Sequence, residues 1–152
     1  MLLGFATWIG SGAVHADANE QVASLLRAQS APPGVVFEVV TGDPAGLRRV
    51  IPRIKGWVAR LHARFPGLGI AVVSHGMEQF ALQSSARDSR GEVHRQVRSL
   101  VRDEEVSLHV CGTFADWHGV PPESFPDYVG VSASGPAQLN DYEALGYVRI
   151  RL

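Results

Sequence analysis

The chain has 152 residues, 45% of them hydrophobic and 19% charged, with 14 Lys and Arg set against 15 Asp and Glu. That is one domain of ordinary size with enough apolar residues for a core, and its formal charge of -1 excludes the dense basic surface of a nucleic-acid binder. The single cysteine excludes an intramolecular disulfide, a CxxC redox pair and multi-cysteine zinc sites.

Residues 1–16 (MLLGFATWIGSGAVHA) are apolar and rich in small residues, and the chain turns polar at Asp17. Val14 and Ala16, or Ala16 and Ala18, offer the small residues at which a signal peptidase cuts, although a basic n-region is missing. The run is shorter than the roughly 20 residues of a spanning helix. The expectation is a signal peptide over residues 1–16 and a periplasmic or secreted protein with no membrane attachment after cleavage. If the stretch is instead a buried helix or a tail, the protein is cytoplasmic.

Residues 20–29 place Val22, Leu25 and Leu26 at helical spacing before Pro32, Pro33 and Gly34 break the pattern. Residues 17–34 therefore read as a short helix and linker, and residues 35–152 as the compact domain. The β-branched run VVFEVV at 35–40 predicts a strand that ends at Thr41, Gly42 and Asp43. Asp43 followed by Pro44 predicts a helix start, with Asp as the cap and Pro at the first helical position. Leu47, Val50, Ile51, Ile54, Trp57, Val58, Leu61 and Phe65 then recur at spacings of three and four, one apolar stripe. Pro52 lies inside that stripe and predicts a kink, or a helix whose regular part lies beyond it.

Residues 68–73 (LGIAVV) predict a second strand, emptying into Ser74, His75 and Gly76, with a short helix over 77–82 and a polar loop over 83–91. Val93, Val97, Leu100 and Val101 mark an amphipathic helix that carries basic residues on its other face, within a cluster of Arg87, Arg90, Arg95, Arg98 and Arg102. That cluster reads as a solvated face able to meet an acidic partner. The third strand, from Val106, ends at Cys111, where a glycine turn opens a short helix. Residues 128–133 predict a fourth strand, residues 136–145 a helix closed by Gly146, and residues 147–152 a half-exposed edge strand. Near-continuous apolar strands alternating with amphipathic helices imply a three-layer α/β fold, a mostly parallel five-stranded sheet with helices on both faces.

In such a sheet, sites form beyond the carboxyl ends of the strands. Those ends carry Thr41, Gly42 and Asp43; Ser74, His75 and Gly76; Cys111, Gly112 and Thr113; and Ser132, Ala133, Ser134 and Gly135. A cysteine at a strand-to-helix changeover is favoured as a thiolate, because free amides at the helix N-terminus lower its pKa. Gly112 and Thr113 supply amides beside the sulfur, and Gly112 admits a partner atom close to the backbone. The alternative for Cys111 is a small buried residue with no chemistry. His75 ends the neighbouring strand. His109 lies two residues before Cys111 and so on the same sheet face, where it either pairs with the thiolate or is an ordinary satisfied polar residue. His118 lies one or two helical turns away on the same rim. Gly76, Asp43 and Ser134 complete the candidate substrate rim, Asp43 reading first as a helix cap. Trp117 stands where a phosphatase loop needs Arg, and Gly112 to Trp117 holds no basic residue of the kind rhodanese-type loops use. The histidines and Cys111 match no standard zinc spacing, and no Gly-rich phosphate fingerprint follows a strand, so neither metal nor cofactor is expected.

The run VVFEVV before Thr41, Gly42 and Asp43, the run IAVVSHG at 70–76, VSLHVC at 106–111, and the closing SGPAQL at 134–139 with Leu145, Gly146 and Tyr147 together resemble the DsrE/DsrF-like family over residues 35–152. The resemblance implies a compact α/β fold that assembles as trimers or hexamers. In the sulfur-relay members, which are cytoplasmic, a cysteine ending a central strand carries sulfur as a persulfide and passes it to a partner; Cys111 matches that position. Those members place an Arg-Gly pair after the following helix, where this chain has Trp117, His118 and Gly119. The implied function is that of a sulfur carrier or sulfurtransferase component acting through Cys111 with His75 or His109, between a sulfane-sulfur donor and an acceptor protein. A non-catalytic oligomeric binding or accessory protein is the alternative.

Overall fold

The computed structural model describes residues 16–152, so the expected leader lies, but for Ala16, outside the described residues. Helix α1 (Ala18–Arg27) is capped by Asp17, whose carboxylate accepts from the Glu20 amide at 2.9 Å, and it drives Val22 fully into the core. Strand β1 (Gly34–Val39) is buried at every position, as a central strand of a covered parallel sheet must be. Helix α2 (Gly46–Arg64) and strand β2 (Gly69–Ser74) follow, then helix α3 (Gly91–Asp103), strand β3 (Ser107–Cys111), helix α4 (Gly112–Trp117), strand β4 (Gly130–Ser132), helix α5 (Gly135–Ala144) and strand β5 (Tyr147–Arg151).

All four strand pairings are parallel and the order is β4-β3-β2-β1-β5. Phe37 aligns with Val72 on one side and Ile150 on the other, and Val72 with Leu108, so these residues share a face. Against it pack α1, α2 and α3 through Val22, Leu47, Ile54, Trp57, Val97 and Leu100. Phe37 stacks on Trp57 with ring centroids 5.6 Å apart. The opposite face, with Val36, Ala71 and Val73, meets Leu139 and Tyr142 of α5. Helices therefore cover both faces, as expected, but unequally.

Two local expectations are corrected. Helix α2 begins at Gly46 rather than at Pro44, and its cap residue is Ala45. Asp43 still closes the preceding turn, its carboxylate accepting from Ala45 N at 2.8 Å and its carbonyl from Gly46 N at 2.8 Å. Of the two alternatives for Pro52, the helix does not shift beyond it but runs through it. Pro52 is exposed, so the Arg48 carbonyl that it leaves without an N–H partner is free to meet water. A proline costs a helix interior roughly 3 kcal/mol. Six large side chains of α2 are buried, each contributing about 1.5–3 kcal/mol, and their sum prevails. At the other end of the chain Gly146, at φ 85°, follows α5 as its left-handed closing residue, as the sequence predicts.

Candidate functional site

Because the strands are parallel, their carboxyl ends open on one edge of the sheet, and two buried side chains from the segment after β2 tie that edge together. Residues Met77–Leu82 form a 3-10 helix. Glu78, fully buried, accepts from Ser74 Oγ at 2.8 Å, from Gly76 N at 2.9 Å and from Thr41 N at 2.7 Å, so one carboxylate joins the exits of β1 and β2. Gln79, also fully buried, pairs with the backbone of Cys111 in both directions. The Cys111 amide donates to its Oε1 at 2.9 Å and its Nε2 donates to the Cys111 carbonyl at 3.2 Å. The side-chain amide thus does for the end of β3 what another strand would do.

Cys111 caps α4 and is only 5% exposed. Its Sγ accepts from the Phe114 amide at 3.4 Å. Of the amides expected to serve the sulfur, that of Thr113 is engaged elsewhere. Thr113 N and Oγ1 both donate to the Ala133 carbonyl, at 3.1 and 2.6 Å. A Cβ on Gly112 would stand 2.8 Å from the Ser132 carbonyl, so glycine there admits the β4 backbone, not a ligand. Gly76 is likewise filled: a Cβ would stand 2.5 Å from the Thr41 carbonyl. Ser134 caps α5 by accepting from Ala137 N. Asp43 is spent on Ala45 N and on Arg49, 2.6 Å away, and makes no contact with the cysteine.

His75 is the histidine brought to Cys111. A Cβ on Gly135 would lie 2.6 Å from His75 Cβ and 3.3 Å from Cys111 Cβ, so the two side chains flank one buried glycine that nothing larger can replace. His75 Nε2 meets Glu38 Oε1 at 2.9 Å, and the other oxygen of Glu38 accepts from Arg149 Nε at 2.9 Å. Arg149 reaches on to Glu143 at 3.2 Å, and Arg151 stands 4.0 Å from Glu38. Burial alone would raise the Glu38 pKa. The hydrogen bonds from Arg149 and His75, with the charges of both arginines, outweigh it and hold the carboxyl below its ordinary value. An ionised Glu38 accepts from Nε2–H, which leaves Nδ1 as the histidine nitrogen able to take a proton. The order is a thiol, a histidine beside it, and a buried carboxylate orienting the histidine, the general arrangement of an activated nucleophile. Among the described residues no hydrogen bond joins Sγ to His75 itself.

No family model and no curated protein matches the sequence. Solved structures do match the fold. The protein of unknown function MTH1491 from Methanobacterium thermoautotrophicum superposes with a TM-score of 0.60 at 21% identity, covering 78% of this chain and 97% of its own. BT1422 from Bacteroides thetaiotaomicron, also of unknown function, gives 0.54 at 10% identity, with coverages of 77% and 94%. The ychN protein of E. coli gives 0.54 at 13%, covering 78% and 99%. The fold is DsrE-like.

Within this DsrE-like frame His109 plays a different part from His75. It shares the sheet face of Cys111, as the strand period requires, but both of its nitrogens are engaged. Ser132 Oγ donates to Gln138 at 2.9 Å, so His109 Nδ1 donates to Ser132 at 3.2 Å and Nε2 accepts from the Tyr142 hydroxyl at 2.8 Å. Burial lowers its pKa and keeps the ring neutral. His109 is thus a satisfied polar residue between β3, β4 and α5. His118 bonds the Phe114 carbonyl at 2.8 Å and packs on Phe114 and Phe80. It belongs, with Trp117 at 75% exposure, to an aromatic rim on α4. Among the described residues no three His, Cys, Asp or Glu side chains converge as a metal site would require.

Sequence reasoning missed Glu38, Glu78, Gln79 and Arg149, and it placed Gly135 on the site edge without its role between His75 and Cys111. Glu38 did carry a signal, as the only charged residue in the apolar run VVFEVV. Glu78 and Gln79 carried none, since polar residues in a short helix ordinarily face water.

Proposed function

We propose that this protein is a sulfur carrier that holds sulfane sulfur as a persulfide on Cys111 and passes it to a partner protein. The observation that carries the reading is the placement of Cys111 and the Glu38-bound His75 against the same glycine. His75 Nδ1 takes the thiol proton, and the thiolate attacks the outer sulfur of a donor persulfide R–S–SH. The Cys111 S–S bond forms as the donor's own S–S bond breaks, giving Cys111–S–SH and R–S⁻. The Phe114 amide stands by the sulfur that carries the charge. The likeness to a DsrE-like fold supports the reading at the level of architecture, since relay members of that family use a cysteine at this strand end. On the same reading the domain works as a trimer or hexamer, and the apolar, small-residue start at 1–16 delivers it to the periplasm or outside the cell.

One observation favours the alternative of a non-catalytic binding or accessory protein, namely that Cys111 is only 5% exposed. Intact mass separates the two. After incubation with a sulfane-sulfur donor, the carrier gains one sulfur that reductant removes and that Cys111→Ser lacks. If the folded protein takes up no sulfur, and Cys111 alkylates no faster than an ordinary thiol of pKa about 8.5, the carrier reading fails and the accessory reading stands.

A further inference from the structure

The arginines around α3 were expected to form a solvated face, and the structure divides them. Arg87, Arg95 and Arg98 line a pocket of about 210 Å³ together with Gly91, His94 and Tyr128. No carboxylate lines it. Arg95 pairs with Glu92 outside the pocket, whereas Arg87 and Arg98 have no acidic partner among the described residues. Arg95, Arg98 and Arg102 are spaced three and four residues apart on one helix, so their like charges stand side by side at a cost to the helix. A solvated face relieves such repulsion by spreading its side chains into water. Here Arg95 and Arg98 are exposed to water as on such a face, but they also border a concave surface whose floor includes the buried His94.

The floor is built. His94 is 4% exposed, its Nδ1 is hydrogen-bonded to the Tyr128 hydroxyl, and the two rings meet edge to face. The Arg102 guanidinium lies over the Tyr128 ring at 5.9 Å from its centroid and pairs with Asp127 at 3.5 Å. His94 Nε2 is buried without a well-formed hydrogen bond, although the Ala81 and Gln83 backbones lie close enough to act on the ring, so Tyr128 is its one well-formed side-chain partner. Burial lowers the His94 pKa, with Arg87 adding to the effect, so the ring adds no positive charge of its own at neutral pH. The cations of the pocket are therefore the guanidiniums, planar forks that match pairs of oxygens on one central atom.

We propose that this pocket binds a tetrahedral oxyanion of the phosphate or sulfate class. Arg87 and Arg98 supply the charge that the described residues leave unneutralised, Arg95 borders the same opening, and Tyr128, fixed by His94, sets one wall. The site lies against α3 and shares no residue with the group around Cys111.

The test is a calorimetric titration of the full protein with inorganic phosphate and with sulfate at constant ionic strength, chloride serving as the control because screening alone weakens exposed charges. In parallel, vesicles of phosphatidylglycerol in phosphatidylcholine test whether the oxyanion is carried by a lipid. Saturable binding of phosphate or sulfate, weakened about tenfold or more by Arg98→Gln and by Arg87→Gln and less by Tyr128→Phe, is expected. Sedimentation with vesicles that phosphate competes away places the oxyanion on a headgroup, and its absence beside saturable phosphate binding places it in solution. The proposal is overturned if neither probe saturates, or if Arg87→Gln and Arg98→Gln, each with unchanged thermal unfolding, bind as tightly as the parent.

Discussion

The two faces of one sheet are built on different principles. Under α1, α2 and α3 the layer is apolar throughout, with Phe37, Val72, Leu108 and Ile150 meeting helical Leu, Ile, Val and Trp. Under α5 the apolar part shrinks to Val36, Ala71, Val73 and Leu139, flanked by two polar networks. One runs His75–Glu38–Arg149–Glu143 and the other Tyr142–His109–Ser132–Gln138. Apolar packing is non-directional and contributes in proportion to the area removed from water. A buried polar group contributes little net energy and is costly when left alone. The first face holds the fold, and the second holds particular side chains in particular places. Cys111 belongs to the second.

The contrast breaks most readily on the apolar side. Phe37→Ala removes a fully buried ring from its stack on Trp57, and a loss of about 3–5 kcal/mol is expected. Denaturant unfolding checks this. A loss below about 1 kcal/mol would mean that the α2 layer is not the dominant one.

Next comes Glu38→Gln, which keeps the shape but removes the charge shared by His75 and Arg149. Removing one partner of a buried pair costs about 3–5 kcal/mol, and the part-exposed Arg149 brings the expectation to about 2–3 kcal/mol. The pH dependence carries the sharper signature. Glu38 is held below its ordinary value in the folded protein, so the unfolded chain binds more protons as pH falls. The stabilisation is complete above the unfolded pKa of about 4.3 and is lost as pH drops through the folded one. In Glu38→Gln this acid-side slope flattens. An unchanged slope in acid titration monitored by circular dichroism would remove Glu38 from the account.

The same contrast explains what was legible in the sequence. Strand and helix order followed from apolar periodicity, because that periodicity is the imprint of the α2–α3 face. Leu47 to Leu61 mark it directly, and the crowding of polar residues at the strand ends follows from a parallel sheet. The α5 face has no such imprint. Glu78, Gln79 and Arg149 act through single directed hydrogen bonds to residues 4 to 111 positions away, and no period in the sequence encodes a contact of that kind. Gly112 and Gly76 were misjudged for a related reason. A glycine says that something comes close, and here it is the chain's own Ser132 and Thr41 rather than a ligand.

Gln79→Leu tests whether the polar side positions the cysteine. It leaves the amide and carbonyl of Cys111 buried without partners, for a loss of about 2 kcal/mol. The readout that a purely structural role would not move is the alkylation rate of Cys111 under conditions where both proteins remain folded. A change in that rate, restored by Gln79→Glu at a pH where the carboxyl is protonated, makes Gln79 a positioning residue; an equal rate makes it a strut.

The smallest effect belongs to Tyr142→Phe, which removes the hydroxyl that donates to His109 Nε2 at 2.8 Å and also meets Ser107. A single neutral hydrogen bond contributes about 1 kcal/mol, and that is the expected loss. Because burial keeps His109 neutral in the folded protein, its contribution is complete above the unfolded histidine pKa of about 6.5 and declines as pH falls toward the folded value. Without the Tyr142 donor, Nε2 becomes a bare acceptor that protonation can satisfy, so the imidazole pKa moves up toward its ordinary value and the decline below pH 6.5 becomes shallower. Proton-resolved titration of His109 by NMR reads this directly. A pKa that stays put in Tyr142→Phe would show that burial alone sets it and that the hydroxyl is a bystander. An upward shift with sulfur uptake at Cys111 unchanged would separate the two networks of the α5 face, leaving His109 to the sheet and His75 to the thiol.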